Sequence, residues 1–260
     1  MEKEVFDLYS TEKIDQSENT TITLYRPFVK TGNGAVIIFA GGGYLRRCEH
    51  EEEAYAQFIR SMGICAYTVA YRCEPYKFPL QLSDARSAVR FVRANANKFN
   101  IDGDKIAVMG SSAGGHLAAL LSTYRGKVAG EELSEYKDVD YIPSAQILCY
   151  PVICSDESIG HVVSYKRLLG DNYSEREKFS PDLIADNKTP KAFIWHTFED
   201  EGVNVMNSYK YAEKLKKEQV PTELHIFPEG QHGISLANGV PHTAQWKILL
   251  ENWLRHYKFI

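Results

Sequence analysis

The sequence is poor in cysteine and offers no pairing among the cysteines it has. Five occur in 260 residues, at Cys48, Cys65, Cys73, Cys149 and Cys154. The number is odd and no C-x-x-C pair appears, so neither a disulfide framework nor a zinc site is expected, and no metal ligand set is assigned. Cys65 and Cys149 lie inside apolar runs, where a free cysteine acts as a small hydrophobe. No apolar run approaches the ~20 residues that a membrane-spanning helix needs. The first ten residues, MEKEVFDLYS, contain no apolar stretch of the signal-peptide kind. A cytoplasmic protein with no membrane partner is the expectation. Positive charge is not in excess either: the formal charge is −4. A dedicated nucleic-acid binder, which carries a basic patch, is therefore not expected. Internal repeats and low-complexity tracts are absent, so solenoids are not expected.

What remains is an ordinary globular composition. Apolar residues make up 44% and charged residues 25% of the chain, close to the averages of about 45–50% and about 25% for soluble domains. A chain of this length buries a large core without staples, and a single domain over residues 1–260 is expected. Six short apolar runs recur along it. These are Ala35–Ala40 (AVIIFA), Ile64–Tyr71 (ICAYTVAY), Lys105–Met109 (KIAVM), Ala145–Tyr150 (AQILCY), Lys191–His196 (KAFIWH) and Thr222–Phe227 (TELHIF). Continuous apolar runs rich in β-branched residues read as strands buried on both faces. Helical patterns separate most of them: Glu51–Met62, Leu80–Phe99 with Leu82, Ala85, Val89 and Val92 near one stripe, Val203–Gln219, and Thr243–Tyr257 at the end. Such alternation predicts an α/β fold with a mostly parallel sheet and helices on both faces. The link over residues 152–190 is far longer than the usual two to six residues. Ser180-Pro181-Asp182 within it reads as a helix start, with Ser at the N-cap and Pro at the first helical position. A small insertion over the C-terminal edge of the sheet is expected, as a lid or pocket wall at the edge where open α/β sheets bind ligands.

The chemistry is concentrated in Gly110-Ser111-Ser112-Ala113-Gly114, which matches G-x-S-x-G. It follows a predicted strand and precedes the helical pattern HLAALL, the context of a nucleophile elbow. Ser111 is a rival, but only Ser112 has glycine at both −2 and +2. A serine hydroxyl needs a base. Among the downstream histidines, His225 lies in a strand pattern and His116 is carried off along the helix. His232 sits in Pro228-Glu229-Gly230-Gln231-His232-Gly233, a loop directly after the last apolar strand, and is the candidate base. The base needs an acid to fix its tautomer. His196-Thr197-Phe198-Glu199-Asp200-Glu201-Gly202 supplies neighbouring acids, and spacing alone leaves Glu199 and Asp200 open. An oxyanion hole needs convergent N–H donors. Ala113, just after the nucleophile, is one candidate. Gly41-Gly42-Gly43, just after the first strong strand, offers others. Tyr44, Leu45 and Arg46 break the pattern of a dinucleotide loop.

Taken in order, these stretches resemble the α/β-hydrolase esterase/lipase family, in its short bacterial branch of acetyl esterases and acetylxylan-type esterases. The resemblance rests on FAGGGY (39–44), VAYR (69–72), LSDARSAVRFV (82–92), KIAVMGSSAGGHLAAL (105–120), residues 192–203 and LHIFPEGQHG (224–233). It implies the α/β-hydrolase fold and a Ser-His-Asp triad of Ser112, His232 and Asp200, the last through the family's His-Gly-x-x-Asp-x-x-Val pattern. It also implies Gly42, Gly43 and Ala113 in the oxyanion hole. Ala40 stands where lipase-like relatives have histidine before the glycines, and little chain precedes the first strong strand. The implied activity is hydrolysis of short-chain, acetyl esters, those of acetylated sugars among them, with a small-molecule ester as partner and no cofactor. The alternatives are an arylformamidase-like or small peptidase activity with the same triad, or a non-catalytic ligand-binding relative.

Overall fold

The computed structural model describes residues 3–9, 20–130 and 134–260. Among these, eight strands form one sheet: β1 (Glu4–Asp7), β2 (Thr21–Tyr25), β3 (Ala35–Phe39), β4 (Cys65–Val69), β5 (Ile106–Ser111), β6 (Ala145–Cys149), β7 (Lys191–Thr197) and β8 (Thr222–Phe227). Their order is β1-β2-β4-β3-β5-β6-β7-β8. The six strands from β3 onward are those expected from the sequence, and each pairs in parallel with its neighbours among them. β1 and β2 add an antiparallel edge that the six apolar runs did not include. The signal in β2 is short: Ile22, Leu24 and Tyr25 are buried while Thr21 and Thr23 are half-buried. β1 is shorter still, and a Glu4–Arg26 ion pair ties it to the residue after β2. Charge on an edge strand discourages pairing with other chains.

Helices cover both faces because successive strand residues point in opposite directions. In β3, Ala35, Ile37 and Phe39 join one core, with Leu82, Ala85, Val89 and Val92 of α2 (Leu80–Ala94) and Leu117 to Leu121 of α4 (Ser112–Thr123). Val36 and Ile38 join the other, with Tyr55, Ala56 and Ile59 of α1 (Glu53–Ser61) and Trp246, Leu250, Trp253 and Leu254 of α8 (Trp246–His256). The single helix expected over Leu80–Phe99 is broken at Asn95, and α3 (Ala96–Phe99) follows. Asn95 donates its side-chain amide to the Phe91 carbonyl, a local bond that competes with the helix ladder. The helix expected at Thr243 begins as a 3-10 turn and becomes α-helical at Trp246.

The 152–190 segment folds into α5 (Val162–Leu169), a 3-10 stretch over Gly170–Phe179 and α6 (Pro181–Ile184). Tyr165, Leu168, Leu169 and Phe179 are buried in the same core as α2 and α4. Ser180 holds the N-cap position of α6, with Pro181 first in the helix. Its hydroxyl does not cap: it accepts from the Ser155 N–H at 2.8 Å and donates to Asp182 at 2.6 Å. The insertion is thereby sewn to the strand end it leaves from. α7 (Met206–Lys217) connects β7 to β8 and packs into the same core, through Tyr211 and Leu215. No helix among the described residues is long and apolar enough to cross a membrane.

A buried arginine–aspartate ion pair lies inside this frame. Arg72 reaches Asp84 at 2.6 Å, with side chains only 6% and 0% exposed. Asp84 also accepts from the Arg72 N–H at 2.9 Å and from the Tyr9 hydroxyl at 2.8 Å. The exit of β4 is thus tied to α2. Removing one partner of a buried pair leaves an uncompensated charge and costs about 3–5 kcal/mol. Asp84→Ala is expected to lose about that much stability in urea unfolding; a loss under ~1 kcal/mol, the size of a surface pair, would show the charge is not held in the core.

Candidate active site

β5 ends at Ser111 and α4 begins at Ser112, with no residue between them. The chain can reverse there only through a forced backbone, and Ser112 takes φ +52°. Left-handed backbone at a non-glycine residue costs about 1–3 kcal/mol and persists where surroundings enforce it. Here they do so through close approach. A side chain on Gly110 would strike the Gly114 carbonyl, and one on Gly114 would strike the carbonyls of Phe39 and Ala40. Ser112 is left 7% exposed, at the C-terminal edge of the sheet.

The structure brings three of the expected residues into one line. His232 Nε2 lies 2.8 Å from Ser112 Oγ, and His232 Nδ1 lies 2.7 Å from Asp200 Oδ2. The other Asp200 oxygen accepts the N–H groups of Gly202 and Val203, both at 2.8 Å. Burial acts to raise the Asp200 carboxyl pKa. The hydrogen bonds from His196 and His232, with the charge His232 can carry, outweigh it and hold the group well below the usual carboxylate range. Glu199 does a different job, accepting the Gly230 N–H at 3.2 Å. Thr197 donates to the Gly230 carbonyl at 2.6 Å. These two contacts fix the loop that carries His232. The choice that spacing left open between the acids thus has a geometric counterpart: one faces the imidazole and the other braces its loop.

The glycine loop lies against the nucleophile. A Cβ on Gly41 would come within 3.0 Å of Ser112 Cβ. The Gly41 N–H is taken, donating to Glu51 Oε2 at 2.8 Å and more weakly to Ser111 Oγ at 3.2 Å. Gly42 and Gly43 have φ +129° and +63°, values that admit glycine readily and other residues poorly. Their N–H groups have no acceptor among the described residues. Ala113, in the first turn of α4, likewise has no intrahelical acceptor. Arg167 of α5 reaches the Gly43 carbonyl at 3.4 Å, so the insertion closes the loop from above.

Two histidines to which the sequence assigned no role support this arrangement. His196 is fully buried behind Asp200: Nε2 faces Asp200 Oδ2 at 3.2 Å and the Val203 carbonyl at 3.0 Å, and Nδ1 meets the Ser208 hydroxyl at 2.8 Å. That gives a physical reason for the His of the His-Gly-x-x-Asp-x-x-Val pattern, whose side chain clamps the acid, while Val203 contributes only its backbone N–H. His116, one helical turn after Ser112, meets the Tyr44 hydroxyl at 2.8 Å and the Phe179 carbonyl at 2.9 Å. It joins the glycine loop to the insertion.

The sequence profile of the BD-FAE family matches residues 22–215. The chain belongs to the BD-FAE family of α/β-hydrolase esterases. Within reach of this family, the chain is 38% identical over 209 residues to Endo-1,4-beta-xylanase B of Butyrivibrio fibrisolvens, covering 78% of this chain and 33% of that protein. It is 28% identical over 228 residues to Acetylxylan esterase of Xylanibacter ruminicola, covering 85% of this chain and 45% of that protein. The chain therefore spans between a third and a half of the length of these curated relatives. A solved structure, an acetyl ester-xyloside bifunctional hydrolase from Caldicellulosiruptor lactoaceticus, superposes with a TM-score of 0.91 at 37% identity, over 99% of this chain and 97% of that one. The α/β-hydrolase fold of the BD-FAE chain follows from that likeness together with its own sheet order.

His116 makes a pH prediction for this BD-FAE chain. Complete burial pushes its imidazole down from 6.5 to about 4. Above the unfolded value of about 6.5 both states are neutral and the full stability is present. As the pH falls toward 4 the unfolded chain takes up a proton that the folded protein refuses, so stability is lost through that window. The difference amounts to about 3 kcal/mol for this group. Urea unfolding of wild type and His116→Gln at pH 7 and pH 4.5 is expected to show a shallower pH dependence in the variant. Identical slopes would mean that His116 is charged or solvated in the folded state.

Proposed function

We propose that this chain is a serine esterase that hydrolyses short-chain acetyl esters, among them those of acetylated sugars, through Ser112, His232 and Asp200. The observation that carries the reading is the continuous hydrogen-bonded line from Ser112 Oγ through His232 to Asp200, set at an elbow and beside free N–H groups. Membership of an esterase family supports the ester as substrate class. The acetyl and sugar components are supported by the relatives named for acetylxylan and for acetyl ester-xyloside substrates.

In this reading His232 Nε2 takes the Ser112 proton as Oγ attacks the ester carbonyl. Asp200 accepts from Nδ1–H, fixes the tautomer and stabilises the imidazolium that forms. The tetrahedral oxyanion is received by the N–H groups of Gly42, Gly43 and Ala113. Each such donor is worth about 10²–10³ in kcat. The imidazolium returns its proton to the leaving alcohol, and an acetyl-serine remains. Water, deprotonated by His232, then attacks that ester and releases acetate and free Ser112. The insertion over residues 152–190 acts as a wall of the site, with residues 1–260 working as one catalytic unit.

The test is hydrolysis of p-nitrophenyl esters from acetyl to palmitoyl by wild type, Ser112→Ala and Asp200→Asn. Activity greatest on acetyl is expected, abolished in Ser112→Ala and lowered by about 10⁴ in Asp200→Asn, where the tautomer is no longer held. Acetylated xylo-oligosaccharides should then release acetate. Hydrolysis of N-formyl or peptidyl amides but not of esters would replace this reading with an amide hydrolase. Undiminished hydrolysis by Ser112→Ala would remove the assigned nucleophile.

A further inference from the structure

Behind the glycine loop lies a carboxyl group that the proposed reaction does not use. Glu51 ends the 3-10 turn Glu49–Glu51 and is 2% exposed. Each of its oxygens accepts from a neutral donor. Oε2 takes the Gly41 N–H at 2.8 Å, and Oε1 takes the Tyr150 hydroxyl at 2.6 Å. Tyr150 directly follows β6 and has φ +37°. Its ring stands nearly edge-on to the His232 imidazole, with centroids 5.2 Å apart. Its hydroxyl oxygen accepts the Ser235 N–H at 3.0 Å and lies 2.9 Å from the Tyr55 hydroxyl. The same turn touches the histidine loop a second time. The Ser235 hydroxyl donates to the His50 carbonyl at 3.0 Å, and His50 Nε2 meets the Gly233 carbonyl at 3.1 Å.

We propose that Glu51 is a positioning residue for ester hydrolysis, its carboxyl holding the oxyanion loop through Gly41 and the His232 loop through Tyr150. The assignment rests on the serine-esterase reading of the same site. The physical need is two acceptors on one rigid group. Gly41 N–H and Tyr150 O–H both donate, from segments on either side of Ser112, and a carboxyl group satisfies both at once. Occupying the Gly41 N–H fixes the peptide plane from which Gly42 and Gly43 continue, so their N–H directions are set before substrate arrives. Preorganised donors of that kind act on the transition state and not on ground-state binding. Gly41 itself must stay bare, since a Cβ there would sit 2.5 Å from Glu51 Oε2. On the far side, the Tyr150 hydroxyl passes the same constraint to Ser235, three residues beyond His232.

The experiment compares wild type, Glu51→Leu, Glu51→Gln and Glu51→Asp by steady-state ester kinetics and by the rate at which a fluorophosphonate probe labels Ser112. Glu51→Leu is expected to lower kcat by about 10² while KM moves by less than about threefold, and to slow labelling in proportion. Glutamine keeps the reach and one acceptor for Gly41, and Tyr150 can turn its proton toward Tyr55. Glu51→Gln is therefore expected to recover to within about tenfold of wild type, and Glu51→Asp, one methylene short, to lose more than Gln. A folded Glu51→Leu with wild-type kcat and labelling rate overturns the proposal. If Glu51→Leu fails to fold, the other two variants decide: Asp outperforming Gln would show that charge, not reach, matters, and overturns it. A wild type that is labelled at Ser112 yet hydrolyses no ester defeats the esterase reading alone, and the labelling rates still judge Glu51. A wild type that is not labelled at all overturns both.

Discussion

The arrangement of the site depends on one steric constraint, the direct passage of β5 into α4 at Ser112. Packing enforces the left-handed backbone of that residue: α4 presses its first turn onto the carbonyls that end β3, and only hydrogen atoms fit at Gly110 and Gly114. The result is a serine raised above the sheet edge with helix N–H groups beside it. Strand β3 contributes twice, because the carbonyls of Phe39 and Ala40 that receive α4 lead straight into the glycine loop. The spacing between the proposed nucleophile and the proposed oxyanion donors is thus a property of two adjacent parallel strands in register, Phe39 opposite Gly110. It does not rely on a flexible loop finding its place.

Around that fixed point, buried polar side chains set the loops. His196 and the N–H groups of Gly202 and Val203 surround Asp200. Glu199 and Thr197 brace Gly230. His116 ties Tyr44 to the insertion. A buried polar group without a partner costs about 1–3 kcal/mol, so such networks favour one arrangement by penalising the others. The insertion takes part in this. Its apolar residues lie in the main core and its Arg167 bonds the glycine loop, so it packs as part of the body of the fold.

How much of this is legible in the sequence follows from the range of each interaction. The six central strands could be read because burial on both faces writes a continuous apolar run. Ser112 could be read because the elbow is a local object, with strand, turn and helix contiguous. His232 followed from its place after the last strand. Asp200 could not be separated from Glu199 by spacing, since both lie on one loop and only the fold decides which faces the imidazole; the family pattern supplied the choice. β2 was missed because its three buried residues, Ile22, Leu24 and Tyr25, are interrupted by threonine and make a weaker trace than any of the six runs. Glu51, Tyr150, His116 and His196 lay beyond sequence reasoning for a different cause. Glu51 and Tyr150 are 99 positions apart, and nothing in EHEE or LCYP announces a contact between them. His116 was read as carried away from Ser112, and its partners, 72 and 63 positions distant, had no local signature.

That division has a physical meaning for the proposed chemistry. A local motif can place one reactive atom; it cannot hold three loops at once. The distances along Ser112, His232 and Asp200 join β5, β8 and β7, and each loop leaves its strand independently. Tolerances for such a constellation are about 0.5 Å, finer than a loop keeps unaided. The polar groups that sequence reasoning misses are the ones that span these loops, Tyr150 between the turn before α1 and the segment after His232, and His196 across the loop of Asp200. Each is buried, and each has its hydrogen-bonding atoms matched to donors or acceptors on different segments. The elbow therefore explains why a serine stands at this edge, and the buried polar braces explain why a histidine and a carboxylate meet it there.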